Sequence, residues 1–441
     1  MKRIYLTILI LVCYTLVYPQ ETYTLKQCIE TGLECNYSIQ IIRNEEQIAR
    51  NNFIPGNAGY LPTIDLSGGF NGTLYNYNTN YTDGTSDKVN NNNTETTNVG
   101  VNLNWTVFDG FGIQANYARL KELQQMGELN TRISIEDLIA NIAGVYYSLI
   151  RQKIRLQNLQ YTLNLSKERL RIVEARYDIG ADSRLEFQQA KVDFNADSSR
   201  LISQFETVYA SSVQLSTLMA SNPDHPIQIS DSLIHFNSML EKDELWHDIL
   251  FNNTSLLISQ KNKTLSEIDY KRVVSRNYPY VRLNGGYGYN SNWYSTGMTD
   301  MQQRLGWNYG VTVGINLFDG FDRRREQRNA QIQIKNSELR MQNMELSLQA
   351  DFANLWMAYQ NNIELWTLEK ENLVVAYENH TIAMERYRLG ELSGIQLREA
   401  QNALLEAEER RSISEYNTKL CEISLLQLSG RILTYLYPEN E

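Results

Sequence analysis

Any chemistry in this chain would have to start from its four histidines, its four cysteines or its carboxylates. His225, His235, His247 and His380 are dispersed, and no His-Glu-x-x-His pair sets two imidazoles on one helix face as a metal site requires. There is no Cys-x-x-Cys pair and no strand-turn-helix elbow that would expose a nucleophilic serine. The glycines of Gly285-Gly286-Tyr287-Gly288 lie in a strand-like run and lack the following helix whose N-terminus holds phosphate. The residues therefore predict no catalytic group, no cofactor and no resident metal. Cys13 reads as apolar filler, and Cys28, Cys35 and Cys421 are an odd number for an exported chain. Cys28 and Cys35 fall two helical turns apart, roughly 10 Å by the rise per residue, too far for a disulfide. They read as free packing residues.

The elements that could place such residues begin after an export signal. Lys2 and Arg3 precede an apolar run from Ile4 to Val17 and then Tyr18-Pro19-Gln20, which reads as a signal peptide over residues 1–20. A net charge of -10 and a sequence pI near 5.2 argue against nucleic acid as a partner.

The rest of the chain is written twice. Pro62 in "YLPTIDLSGGF" corresponds to Pro279 in "NYPYVRLNGGY", 217 residues on. Phe108 corresponds to Phe318, and the run Arg176-Tyr177…Gly180 to Arg386-Tyr387…Gly390, each 210 residues on. The difference is 7 residues inserted between Pro62 and Phe108, where the tract "TDGTSDKVNNNNTETT" (82–97) reads as an exposed loop. The expected domains are a first repeat over 21–222, a linker over 223–238 holding Pro223 and Pro226, a second repeat over 239–437 and a tail over 438–441.

Each repeat contains a hairpin, over about 61–108 and about 279–318, in which apolar and polar residues alternate. Ile64, Leu66, Phe70 and Leu74 share one face, as do Val99, Val101, Leu103, Trp105 and Val107. Val281, Leu283, Tyr287, Tyr289 and Trp293 form the matching set, returned by Trp307, Tyr309, Val311, Val313, Ile315 and Leu317. Strands of about ten residues with one apolar face and aromatic ends suit a tilted transmembrane sheet.

The period then becomes helical. From Ile135 through Leu138, Ile142, Val145 and Leu149 to Tyr177 the apolar positions follow a heptad seam that only Gln152 and Ser166 interrupt. A looser seam runs from Leu348 to Tyr387. Proline-free helices over 111–178 and 321–388 would each be roughly 100 Å long. Each stops at a glycine turn, Gly180-Ala181-Asp182-Ser183 or Gly390-Glu391-Leu392-Ser393, and a return helix follows over 184–221 or 394–429. The paired tetrapeptides Phe108-Asp109-Gly110-Phe111 and Phe318-Asp319-Gly320-Phe321 mark the strand-to-helix corners. There the aspartate is placed to cap the helix, the glycine permits the bend, and the phenylalanines suit a membrane boundary.

Lipid tolerates no open sheet edge, so four such strands must close a ring with other copies. Barrels begin at about eight strands, so strand count admits two chains or three. A secreted coiled-coil adhesin or stalk, with the strands as an anchor, also explains the heptads and the signal. It does not explain why hairpin and helical turn are duplicated in register.

In its duplicated order of helix, hairpin, Phe-Asp-Gly-Phe, long helix, glycine turn and return helix, the chain resembles the TolC family of outer-membrane efflux channels over about residues 21–437. The resemblance implies an α+β membrane protein, a homotrimer whose 12-stranded β-barrel in outer-membrane lipid continues into an α-helical coiled-coil periplasmic tunnel. It implies a passive gated conduit for export or type I-like secretion that docks on a periplasmic adaptor protein and an inner-membrane transporter. It further implies that both glycine turns form the adaptor-docking tip and that acidic residues just beyond them ring the entrance. Glu186, Gln396 and Glu399 occupy those acidic positions, one of them an amide. Tyr387 matches a tyrosine of the family's tip latch, whereas Leu392 stands where the family has an arginine.

Overall fold

The computed structural model describes residues 22–435. The expected signal peptide with Cys13 and the expected tail over 438–441 lie outside the described residues. In chain order the first copy comprises β1 (Thr22–Tyr23), α1 (Leu25–Cys35), α2 (Tyr37–Asn52), the single turn α3 (Pro55–Ala58), β2 (Thr63–Asn80), β3 (Ser86–Phe108), α4 (Gly112–Asp178) and α5 (Arg184–Leu218). The second comprises β4 (Gln228–Ile229), α6 (Lys242–Asn252), α7 (Thr254–Ser275), β5 (Tyr280–Tyr294), β6 (Met301–Gly314), α8 (Asp322–Arg388) and α9 (Gly394–Leu428), followed by a 3₁₀ turn over Ile432–Tyr435. The described residues form two compact units, one from the segments before Glu45, over Leu129–Leu257 and from Asn343 onward, the other from Glu45–Glu128 and Ile258–Gln342.

The second unit is built on an antiparallel sheet in the order β2-β3-β5-β6. Its register puts Leu66 opposite Val101, Val101 opposite Tyr287, and Tyr287 opposite Trp307, so the apolar positions of all four strands share one face. On the other face Asp65, Asn102, Gly286 and Asn308 form one continuous row. A side chain at Gly286 would meet the Asn308 amide oxygen at 2.5 Å, so the glycine gives the asparagine room to lie against the strand.

Two expectations about the hairpins need correction. Most of the tract 82–97 is strand: β3 starts at Ser86 and pairs with β2 out to Asn80, leaving a turn of five residues, 81–85. That turn closes through Tyr81 N–H to Thr85 O at 2.8 Å, with Gly84 in the left-handed region at φ 87°. Polarity alone suggested a loop, but a sheet with no core beneath it can carry asparagine and threonine throughout. Conversely, β6 stops at Gly314, and Ile315 and Leu317 lie outside the strand. The last pair of the ladder is Tyr280 with Gly314, and the next residue of β5's approach is Pro279, which has no N–H to continue it.

The first unit is helical, with a core centred on Ile29, Ile139, Ile142, Tyr146, Leu149, Leu215 and Met219. Cys28 packs inside it and Cys35 is exposed, so only the former is a packing residue. Burial pushes the Cys28 thiol up to about 12, which keeps it an unreactive thiol. Each copy's opening helix is broken at an asparagine. Asn36 Oδ1 caps α2 by accepting Ser38 N–H at 2.9 Å, and Asn253 Oδ1 caps α7 by accepting Leu256 N–H at 2.9 Å. Their Nδ2 groups donate to Leu218 O and Leu428 O, each at 2.9 Å, tying the opening helices to the ends of the return helices.

Candidate functional site

Within the sheet unit, both Phe-Asp-Gly-Phe corners take the same shape. Gly110 and Phe111 lie in the left-handed region at φ 74° and 72°, and Gly320 and Phe321 at 69° and 67°. A side chain at Gly110 would collide with the Ser275 carbonyl, so the first corner requires glycine for space as well as for backbone conformation. Asp109 Oδ1 accepts Ile113 N–H at 2.9 Å, and Asp319 Oδ2 accepts Arg323 N–H at 3.2 Å and Arg323 Nε–H at 2.8 Å. Phe108 packs edge-on against Phe111 at 5.2 Å, and Phe318 against Phe321 at 5.3 Å.

The two glycine turns belong to the helical unit. After α4, Gly180 at φ 76° lets Ala181 N–H return to Arg176 O at 2.8 Å; after α8, Gly390 at φ 80° lets Glu391 N–H return to Arg386 O at 2.9 Å. These closures satisfy carbonyls that the helix ends leave open. Each return helix then starts with a reciprocal cap. Ser183 Oγ accepts Glu186 N–H at 3.2 Å while Glu186 Oε2 accepts Ser183 N–H at 3.4 Å. Ser393 Oγ accepts Gln396 N–H at 3.3 Å while Gln396 Oε1 accepts Ser393 N–H at 3.2 Å. The carboxylate at 186 and the amide at 396 thus do the same local work, because a capping box takes either.

The turns border a cleft of about 790 Å³ lined by Asp182, Ser183, Glu186, Tyr387, Gly390, Glu391, Leu392, Ser393 and Glu399 together with Arg169, Arg176 and Arg398. Three of the four predicted gate positions meet here, and Gln396 is not among the lining residues. Glu186 and Glu399 are exposed, whereas Tyr387 is buried in an apolar cluster with Val173, Ala190, Met384 and Leu397. Burial raises the Tyr387 hydroxyl pKa against the opposing pull of Arg169 and Arg176.

Cross-links between distant parts of the chain hold this region. Arg176 Nη2 donates to Tyr387 O and Arg388 O, each at 3.2 Å, and its guanidinium lies 5.4 Å from the centre of the Tyr387 ring. Arg169 pairs with Asp193 at 2.9 Å between α4 and α5. Arg398 of α9 makes a two-pronged contact with Asp197 of α5, at 2.6 and 2.8 Å, and Ser166 of α4 donates to the same carboxylate. Burial alone would raise the Asp197 carboxyl, but the hydrogen bonds from Arg398 and Ser166 and the charges of Arg398 and Arg200 hold it below the usual carboxylate range. One signal did exist in the sequence. Of the two polar residues that break the heptad seam, Ser166 bonds Asp197, and Gln152 accepts Gln204 Nε2–H at 2.8 Å.

Among solved structures, the chain is similar to the Campylobacter jejuni CmeC outer membrane channel at 16% identity, with 94% of this chain and 90% of that chain covered and a TM-score of 0.77. The outer membrane protein VceC from Vibrio cholerae matches at 16% identity over 92% and 96% of the two chains, with a TM-score of 0.75. The Neisseria gonorrhoeae MtrE outer membrane channel, described in its open state, matches at 14% identity over 92% and 89%, with a TM-score of 0.74. At these identities the likeness establishes a shared fold. No curated protein matches. The family model for outer membrane efflux proteins matches residues 29–221 and 245–431, covering both copies of the repeat from the opening helices to the ends of the return helices. The chain therefore belongs to the outer membrane efflux protein family.

Proposed function

We propose that three copies of this chain close their sheets edge to edge into one barrel of about twelve strands and that the helices continue it as a periplasmic tunnel. As an outer membrane efflux protein the chain is a transport conduit of the outer membrane that extends into the periplasm. The observation that carries the finer reading is the sheet itself. Its apolar face is open, with Trp307 79% and Tyr309 91% exposed, and β2 and β6 are the edge strands, whose outer edges pair with no other strand among the described residues. Open edges and bare aromatics are unstable in water and unsupported in lipid, so further copies must pair with them.

The remaining parts fit a gated tube. The tip turns would meet an adaptor protein, which bridges to an inner-membrane transporter, and Glu186 and Glu399 would face the entrance. Substrate passes without chemical change. Planar-bilayer recording tests this reading: purified protein should give discrete conductance steps, and Glu399→Gln should weaken block by divalent cations. Membrane-inserted protein with no conductance would favour an anchored stalk instead.

A further inference from the structure

We infer that a buried clasp of Ser166, Asp197 and Arg398 sets how readily the helical tip opens. The inference rests on the gated-channel reading. It concerns which contacts resist separation of the α4/α5 pair from the α8/α9 pair.

The cross-links near the tip fall into two classes. Arg169 with Asp193 joins α4 to α5, and Arg410 with Glu369 joins α9 to α8, so both stay intact if the pairs part as units. Arg176 and Arg398 span from one pair to the other, as does Arg155, which meets Glu409 at 2.8 Å. Burial ranks the two ion pairs among them. The Arg155 and Glu409 side chains are 48% and 36% exposed, and such a solvated pair contributes little. The Asp197 side chain is 1% exposed and that of Arg398 13%. Here both prongs of the guanidinium are used, and removing one partner strands a charge away from water.

The geometry also explains a cost in the sequence. Ser166 occupies a seam position that packing would fill with an apolar residue, and it is buried at 3% exposure. Its hydroxyl orients the Asp197 carboxylate toward Arg398, whose Nη1 lies 3.3 Å from the same hydroxyl. Three helices thus converge on one carboxylate. The lock that the family pattern would place at 392, where this chain has leucine, is supplied deeper in the bundle.

Separating the pairs would return Arg398 and Asp197 to water, so loss of the clasp destabilises the engaged state more than the parted one. Asp197→Asn should raise basal bilayer conductance by at least about tenfold. Ser166→Ala, a milder change, should raise it by about threefold. Arg155→Ala, which removes the exposed link, should change it by less than about twofold. Amide hydrogen exchange along 394–404 on the same samples should accelerate in the same order. Assembled Asp197→Asn and Ser166→Ala proteins with wild-type conductance and wild-type exchange would overturn the clasp. If Asp197→Asn fails to assemble, Ser166→Ala alone decides. Accelerated exchange with no current from any variant would uphold the clasp and sink the channel reading instead.

Discussion

The two copies of the repeat share a scaffold and differ in what it faces. Both turn the corner from strand to helix with aspartate capping and two left-handed residues, both close their long helices on glycine, and both begin their return helices with serine and a reciprocal partner. Both brace the opening helices through an asparagine amide on the last turn of the return helix. Their divergence lies at side chains that reach outward. Tyr177 is 37% exposed and stacks on Phe187 at 5.4 Å, whereas its counterpart Tyr387 is 3% exposed and receives Arg176 from the other copy. Leu138, Ile142, Leu149 and Leu159 of α4 are buried, while α8 leaves Leu346, Met357, Leu365, Leu368 and Val375 exposed. Coincidence between copies marks what the fold requires, and divergence marks surfaces committed to different neighbours. The exposed row on α8 suits a neighbouring copy in the proposed ring, because that much bare apolar surface on a helix calls for cover.

The largest effect should come from breaking the two-faced sheet. Trp307→Arg places a charge on the face assigned to lipid and should cost about 2–4 kcal/mol, read as loss of membrane-assembled oligomer. Asn308→Arg, one residue on and facing the other way, should assemble normally. Equal loss in both would break the assignment of faces. Next come the asparagine braces. Asn253 is buried and Asn36 half-buried, so Asn253→Ala should destabilise the helical unit by about 2 kcal/mol and Asn36→Ala by about 1 kcal/mol, measured by denaturant unfolding. Equal losses would mean that burial does not distinguish the copies. Smallest are the caps. Ser183→Ala and Ser393→Ala should each cost about 1 kcal/mol, whereas Glu186→Gln should be nearly silent in stability because Gln396 already fills the same role in the second copy.

Much of this was legible in the sequence because duplication doubles every weak signal. A lone Phe-Asp-Gly-Phe or a lone glycine before serine says little, but the same residues at a fixed offset of 210 specify a corner and a turn. The tract 82–97 and the two capping asparagines show that polarity is not lack of structure, whereas the early end of β6 follows from Pro279. Asn90 to Asn93 read as loop, yet they lie in β3 because this sheet has no core to exclude them. Asn36 and Asn253 are polar yet structural, and their recurrence at the offset of 217 that aligns Pro62 with Pro279 is the sequence signal for them. The Asp197–Arg398 pair was not legible at all, since its partners are 201 residues apart and only packing brings them together. The interruption of the heptad at Ser166 was the one trace it left.

The central claim is that the free edges β2 and β6 are closed by further copies of this chain. Single-particle imaging of the detergent-extracted protein tests it most directly. The account predicts a threefold particle in which β6 of one copy pairs with β2 of the next around a continuous water-filled barrel. A particle in which those edges stay unpaired, or a helical stalk without a lumen, would contradict it.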